Sequence, residues 1–152
     1  MKKITVTVAA LLFSGMLLAQ DYTPPSKAVS TFETRYPDAI VEEWYEGFED
    51  VECYFENNGN FGSAHFTEEG VWMYSEFTIE ASEMPRKVSA MLAEDFEAYE
   101  VSDVVMTEKP KVTTYAITIS NDATDDNRIV TYDASGNLID EVIITMDDDS
   151  FE

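Results

Sequence analysis

The chain of 152 residues has few basic side chains: 9 Lys and Arg stand against 31 Asp and Glu, a formal net charge of −22. Nucleic-acid-binding proteins normally offer a basic face to phosphates, and peripheral membrane proteins offer one to anionic lipid. The charge therefore argues against both classes, and we expect no nucleic-acid partner. Because 45% of the residues are hydrophobic and 12% aromatic, the chain still has the apolar surface that a folded core requires.

Cysteine and histidine each occur once, as Cys53 and His65. One cysteine cannot form a disulfide within the chain, and its acidic neighbours disfavour a thiolate, so we expect an unreactive thiol on a strand. One His and one Cys cannot assemble the usual structural zinc sets. We expect His65 to be a partly exposed strand residue beside Ser63, on the face opposite Ala64 and Phe66.

Recognisable catalytic motifs are also missing. The sequence contains neither a Gly-x-Ser-x-Gly nucleophile elbow nor a phosphate-binding glycine loop. Carboxylates are so frequent that a pair of them says little about acid–base chemistry. Since no nucleophile or base stands in a recognisable arrangement, we predict that the chain is not an enzyme and uses no cofactor.

An uncharged and mostly apolar run spans residues 4–18, after Lys2 and Lys3 and before Ala19. It is shorter than the roughly 20 residues that a membrane-spanning helix needs. A basic start, a short apolar core and a small residue at its end are typical of a secretory signal peptide. We predict cleavage after Ala19, no membrane anchor thereafter, and a periplasmic or extracellular location; a retained anchor is the alternative.

The rest of the chain reads as a helix followed by four short strands, and then the same order again. Hydrophobic spacing predicts a first helix that ends at Pro37 and a second that begins at a Ser82 N-cap. Runs with β-propensity and intervening turn residues predict the strands. They lie at residues 40–46, 51–56, 61–67, 71–79, 101–107, 112–120, 128–133 and 137–145.

When the first half of the sequence is aligned with the second half, apolar and turn positions coincide. Phe32 aligns with Leu92, for example, and Gly70 with Gly136. We therefore predict an α+β fold: a tandem repeat of one helix plus a four-stranded antiparallel sheet, with the helices packed on the sheets. The predicted divisions are a signal peptide (1–19), a short linker (20–25), a first α-β4 repeat (26–80), a second α-β4 repeat (81–146) and an acidic tail (147–152).

Three segments carry a family resemblance. Residues 32–44 read F-x-x-x-Y-P-x-A-x-V-x-x-W, residues 70–72 form a Gly-Val-Trp turn, and Met84-Pro85-x-x-Val88 opens the second helix. Over residues 26–145 the chain resembles the PepSY-like domain family of exported bacterial proteins, also described as β-lactamase-inhibitor-protein-like. The resemblance implies a helix packed on an antiparallel sheet, repeated in tandem, and a role in binding or restraining other exported proteins. It implies no catalytic residue. The second half departs from the pattern, because Val104 and Leu138 replace the two tryptophans.

Aromatic and acidic residues alternate along the predicted strands. In residues 71–79 the period of two places Val71, Met73, Phe77 and Ile79 on one face and Trp72, Tyr74, Glu76 and Thr78 on the other. Trp44 shares a face with Glu42 and Glu46 by the same rule. If helices cover one face only, Trp44, Trp72, Tyr74 and Glu76 are candidate protein-binding residues on the open face. The alternative is that these rings belong to the core.

The preferred functional interpretation is a non-catalytic binding module, an inhibitor or modulator of an exported protein partner that offers a basic surface or one that accepts aromatic rings. The second interpretation is an acidic calcium- or cation-binding envelope protein. Its candidate ligands are Asp122, Asp125 and Asp126 in one loop, with a further acidic run at residues 147–149. Neither run has the glycine and glutamate spacing of an EF-hand, so no motif supports calcium, and a solvated acidic loop is the structural alternative.

Overall fold

The computed structural model describes residues 22–144. The predicted signal peptide and acidic tail lie outside the described residues. The element order is α1 (Ser26–Arg35), β1 (Ile40–Glu46), β2 (Val51–Asn57), β3 (Asn60–Phe66), β4 (Trp72–Thr78), a 3-10 turn (Ala81–Glu83), α2 (Arg86–Asp95), β5 (Glu100–Lys109), β6 (Val112–Asn121), β7 (Asp126–Asp133) and β8 (Leu138–Ile143).

All eight strands form one antiparallel sheet in the order β1 to β8. The prediction of a tandem repeat with a four-stranded sheet in each half is therefore wrong. The two halves of the sequence are joined at β4 and β5, where Ser75 lies opposite Glu108 and Thr78 opposite Val105. Backbone hydrogen bonds along an edge strand satisfy groups that would otherwise need another partner, so two neighbouring edges gain by pairing.

Both helices pack on the same face of this sheet. Alternate strand residues point towards them and form one buried apolar cluster with the helices, which includes Phe32, Phe55, Phe66, Val88, Leu92, Ile117, Val130 and Tyr132. Cys53 is part of this cluster, and burial raises the pKa of its thiol to about 12. A thiol that is buried and protonated at neutral pH agrees with the expectation of an unreactive cysteine.

Prolines set the limits of the helices. As predicted, α1 ends before Pro37, and Tyr36 closes it by donating its N–H to Phe32. The predicted start of the second helix at Ser82 is wrong, because α2 begins at Arg86. Met84 has an extended backbone, with φ −61° and ψ 146°, and a residue before proline is disfavoured in helical geometry.

At two turns of the sheet, a glycine lies in close contact with a helix. Gly70 between β3 and β4 has a φ of +82°, and a Cβ there would lie 2.6 Å from the Cβ of Lys27 in α1. Its carbonyl accepts a hydrogen bond of 2.7 Å from Thr31. Gly136 between β7 and β8 has a φ of +85° and approaches Lys87 of α2 in the same way. Only glycine fits such a conformation at such a short distance. The sheet face opposite the helices carries no other element in residues 22–144, and we call it the open face.

Candidate functional site

The open face of β1–β4 carries two rows of paired side chains. Antiparallel register places Tyr45, Glu52, His65 and Tyr74 side by side in one row, and Glu43, Tyr54, Ser63 and Glu76 in the next. Side chains opposite each other on neighbouring strands lie close enough to contact. We call seven of these residues the acidic–aromatic patch: Glu43, Tyr45, Glu52, Tyr54, His65, Tyr74 and Glu76.

Two of the four predicted binding residues, Tyr74 and Glu76, lie in this patch, but Trp72 does not. Phe66 pairs with Trp72 whereas His65 pairs with Tyr74, so Met73 is an extra residue that forms a bulge in β4. A bulge breaks the alternation of faces. Trp72 therefore points towards the helices, and its predicted position on the open face is wrong.

Trp44 and Trp72 both contact the core side of α1. The Trp44 ring lies 5.5 Å from that of Phe32 and 5.9 Å from that of Phe66. The guanidinium of Arg35 stacks 3.4 Å over the Trp72 ring, and Trp72 Nε1 donates a hydrogen bond of 2.9 Å to Ser75. For the two tryptophans, the structure therefore agrees with the alternative in which the rings belong to the core.

His65 lies on the predicted face but is only 7% exposed, so the expectation of partial exposure is wrong. Tyr74 covers it with a stacked ring whose centroid is 4.1 Å away. Its Nδ1 lies 2.7 Å from Asp50 Oδ2, and its Nε2 lies 3.1 Å from Ser63 Oγ. The β1–β2 turn that brings Asp50 over the ring could not be deduced from the alternation of strand residues.

The contacts from Ser63 through His65 to Asp50 have the order of a nucleophilic triad. Such a triad also needs hydrogen-bond donors for the oxyanion that forms on the substrate. β3 is an interior strand, paired with β2 and β4, so its backbone N–H groups are directed at neighbouring strands within the plane of the sheet. We therefore interpret these contacts as a network that holds His65 in one orientation.

Acidic side chains set the electrostatics of the patch. Burial and then the nearby Glu52 raise the pKa of Tyr54, and burial and then Glu76 raise the pKa of Tyr74. A hydrogen bond to Glu43 raises the pKa of Tyr45. The sequence has no Lys or Arg between Arg35 and Arg86, so β1–β4 contain neither of these side chains to offset the carboxylates.

Sequence reasoning missed Tyr45, Tyr54 and Asp50. A signal for Tyr54 was present, because Glu52, Tyr54 and Glu56 alternate with the apolar Val51, Cys53 and Phe55 along β2. The open face of β5–β8 differs in chemistry. Its central positions are small or aliphatic and include Val105, Thr107, Thr114, Ala116, Thr118, Ile129 and Thr131. The patch therefore occupies the first half of the sheet.

The three candidate calcium ligands do not converge. The carboxylate of Asp126 is bonded to the Arg128 guanidinium and accepts a hydrogen bond of 2.7 Å from Tyr99. The Arg128 contact is also the main cause of a lowered pKa for Asp126. Asp122 and Asp125 are exposed. Within the described range, the group of three side chains that could hold a metal ion is instead Asp50, Glu52 and His65.

Comparison with solved structures shows the same fold in proteins from Bacteroides. A BLIP-like protein from Bacteroides fragilis has a TM-score of 0.70 and 22% identity, over 86% of this chain and 94% of that chain. A DUF2874 family protein from Bacteroides ovatus has a TM-score of 0.69 and 24% identity, over 80% of this chain and 89% of that chain. A protein from Bacteroides eggerthii, described as one of the "putative periplasmic proteins", has a TM-score of 0.69 and 19% identity, over 82% of this chain and 91% of that chain.

No curated protein matches this chain. Across residues 22–144, neither helix has the length and apolar character needed to cross a membrane. The family model described as "Putative beta-lactamase-inhibitor-like, PepSY-like" matches residues 49–140, which include the strands of the acidic–aromatic patch from β2 onwards. The resemblance seen in the sequence is thereby confirmed, and the chain belongs to the PepSY-like family.

Proposed function

We propose that this protein is an exported, non-catalytic binding module that recognises another exported protein through the acidic–aromatic patch and thereby inhibits or modulates it. The observation that carries the proposal is the pair of cross-strand rows on a sheet face that no other described element covers. The β-lactamase-inhibitor-like description of the family supports a binding role. The predicted signal peptide and the periplasmic description of one protein of similar fold support export.

The chemistry of the patch favours a partner with a basic surface. Tyrosine rings bind flat apolar surface and the stems of long side chains, and carboxylates beside them attract Lys and Arg. The patch supplies both groups in alternation and contains no Lys or Arg. A second copy of this chain is a poor partner, because a net charge of −22 makes the copies repel each other.

The patch has side chains that can contact a partner without disturbing the fold. Tyr54 is 44% exposed and Tyr45 is 40% exposed, and their rings pack edge to face at 5.4 Å. Tyr54 also donates a hydrogen bond of 3.3 Å to Glu52. Rings that are held in place lose little conformational entropy on binding, which is why tyrosines are frequent among residues that dominate interface energies.

The proposal is tested by capture of a partner from periplasmic and secreted fractions, at low and at moderate salt, with wild type and variants compared in parallel. Glu76→Lys reverses one charge of the patch, and Tyr54→Ala removes an exposed ring. Glu94→Lys makes the same charge change at an exposed position of α2 and serves as the matched control. We expect the two patch variants to bind the captured partner at least about tenfold more weakly, and the control to bind as wild type does.

Three results would contradict the proposal. In the first, no protein is retained reproducibly at either salt concentration. In the second, the patch variants retain the partner as well as wild type does. In the third, Glu94→Lys loses as much binding as Glu76→Lys, which would mean that net charge and not the patch decides binding.

A further inference from the structure

At one margin of the patch, three metal-ligating side chains converge from different parts of the chain. Asp50 comes from the β1–β2 turn, Glu52 from β2 and His65 from β3, and one ligand atom from each lies within 4.8 Å of the others. We propose that these residues bind one zinc-class transition-metal ion through His65 Nδ1 and an oxygen of each carboxylate, with water completing a tetrahedron. This site does not depend on the proposed protein partner.

The distances between the ligand atoms suit such an ion. Metal–ligand bonds of about 2.0–2.1 Å in a tetrahedron separate neighbouring ligand atoms by about 3.3 Å. His65 Nδ1 lies 2.7 Å from Asp50 Oδ2 and 3.9 Å from Glu52 Oε1, one distance shorter and the other longer than that value. Shifts of about half an ångström in two carboxylates, well within side-chain freedom, would give the required geometry.

His65 is held in the orientation that metal binding needs. Its Nε2 lies 3.1 Å from Ser63 Oγ and can donate its proton there, which leaves the Nδ1 lone pair free for the ion. The Tyr74 ring stacks on the imidazole with an angle of 11° between the planes. A hydrogen bond to the second ring nitrogen and a fixed ring plane are regular features around histidine ligands in metal sites.

Gly47 makes room for the two carboxylates. A Cβ at this position would lie 1.9 Å from Asp50 Oδ1 and 3.0 Å from Glu52 Oε1. Gly47 does not have a positive φ, unlike Gly59, Gly70 and Gly136, so backbone conformation does not explain the glycine. Its N–H donates to the Asp50 carbonyl at 2.9 Å and closes the turn. The absent side chain therefore allows both carboxylates to approach the same position.

The charge and the ligand types favour a zinc-class ion over calcium. Two carboxylates and a neutral imidazole balance a divalent charge, and no Lys or Arg within residues 36–85 competes with it. Calcium and magnesium prefer oxygen ligands throughout, and calcium takes six to eight of them, whereas an imidazole nitrogen suits zinc, cobalt and nickel. The carboxylate of Asp126, by contrast, already has a cation in Arg128.

The test is titration calorimetry with ZnCl2 on the untagged chain that lacks the predicted signal peptide, together with the visible absorption of its Co2+ form. Glu52→Gln and Gly47→Ala change the site with conservative substitutions. Glu56→Gln makes the same change further along the same strand and is the matched control. We expect one ion per chain, a tetrahedral Co2+ spectrum, at least tenfold weaker binding in the two site variants, and wild-type binding in Glu56→Gln.

Circular dichroism of each variant without metal separates a lost site from a lost fold. Should Gly47→Ala fail to fold, Glu52→Gln and Asp50→Asn carry the test. The proposal is overturned if zinc gives no stoichiometric binding, if folded Glu52→Gln binds as tightly as wild type, or if Glu56→Gln weakens binding equally. Binding of CaCl2 as tight as that of ZnCl2 would also overturn it, because it would show attraction to acidic surface and not to His65.

Discussion

Ser75 is a fully buried polar residue in the apolar core beneath α1. Its hydroxyl accepts a hydrogen bond from Trp72 Nε1 and lies 2.8 Å from the Tyr36 hydroxyl. The Tyr36 hydroxyl in turn accepts a hydrogen bond of 3.1 Å from Arg35, whose guanidinium stacks on Trp72. One serine therefore satisfies the polar atoms of two large aromatic side chains in the core.

Replacement of Ser75 by alanine should lower the free energy of unfolding by about 1–3 kcal/mol, because the buried Tyr36 hydroxyl and the partly buried Trp72 Nε1 would both lose the acceptor that Ser75 provides. Urea denaturation measures the change. Thr78→Ala is the control, since Thr78 is an exposed residue of the same strand and should change stability by no more than about 0.5 kcal/mol. Equal effects of the two substitutions would contradict the role given to Ser75.

The buried tyrosines predict a dependence of stability on alkaline pH. Burial is the largest cause of the raised pKa of Tyr36, Tyr115 and Tyr132, whose ordinary value is 10.0. The folded state therefore favours the protonated phenol. Its contribution is fully present below pH 10 and is lost as pH rises through the higher folded-state pKa values.

Urea denaturation at pH 9, 10 and 11 should therefore give free energies of unfolding that fall across the series. Absorbance of tyrosinate in the native protein should rise at higher pH than in urea-unfolded protein. A native titration centred at the ordinary value, or stability that increases from pH 9 to 11, would contradict the assignment of these tyrosines.

At the scale of elements, the bulge at Met73 decides which face of β4 carries Trp72. Met73 is 39% exposed and adds one residue opposite Phe66. If β4 kept Met73 but alternated regularly beyond Tyr74, Met73 would point towards the helices and Trp72 would leave Ser75 and Arg35 for the open face.

Trp72→Ala should therefore destabilise the fold by about 3 kcal/mol, the range for loss of a large aromatic contact from a core. Met73→Ala keeps the bulge, removes a side chain that is 39% exposed, and should have a small effect. Urea denaturation gives both values. Equal stabilities of the two variants would show that the bulge does not place Trp72 in the core.

Regular periodicity is the part of the structure that could be predicted from the sequence. Hydrophobic spacing predicted a first helix that ends at Pro37, and strand alternation placed Tyr74 and Glu76 on the open face. Irregular features could not be predicted, because an extra residue such as Met73 leaves the local pattern unchanged. The convergence of Asp50 on His65 depends on the path of the β1–β2 turn, which alternation does not describe.

At the scale of the whole molecule, all eight strands form one continuous sheet, and the sequence did not predict this either. Pairing of β4 with β5 joins two halves whose sequences each look complete. The residue pattern of an edge strand does not show which strand it will pair with. The same eight strands are therefore compatible with two separate sheets or with one continuous sheet. Continuity of the sheet has a consequence for stability, because contacts cross the junction on the helix-covered side at Phe77 and Met106.

The two halves should therefore unfold together. Both tryptophans, Trp44 and Trp72, lie in the first half, so their fluorescence reports that half, whereas far-ultraviolet circular dichroism reports all eight strands. Urea transitions followed by the two signals should have the same midpoint. Separate midpoints would show that residues 26–80 and 81–146 are independent domains, as the predicted repeat boundaries would allow.

The central claim is that the acidic–aromatic patch, and not the charge of the whole molecule, recognises a basic exported protein. The most direct measurement compares the dissociation constants of the captured partner for wild type, Glu76→Lys and Glu94→Lys at the same salt concentration. The account predicts binding at least about tenfold weaker for Glu76→Lys and unchanged for Glu94→Lys. Equal binding by all three proteins, or equal loss in both variants, would contradict it.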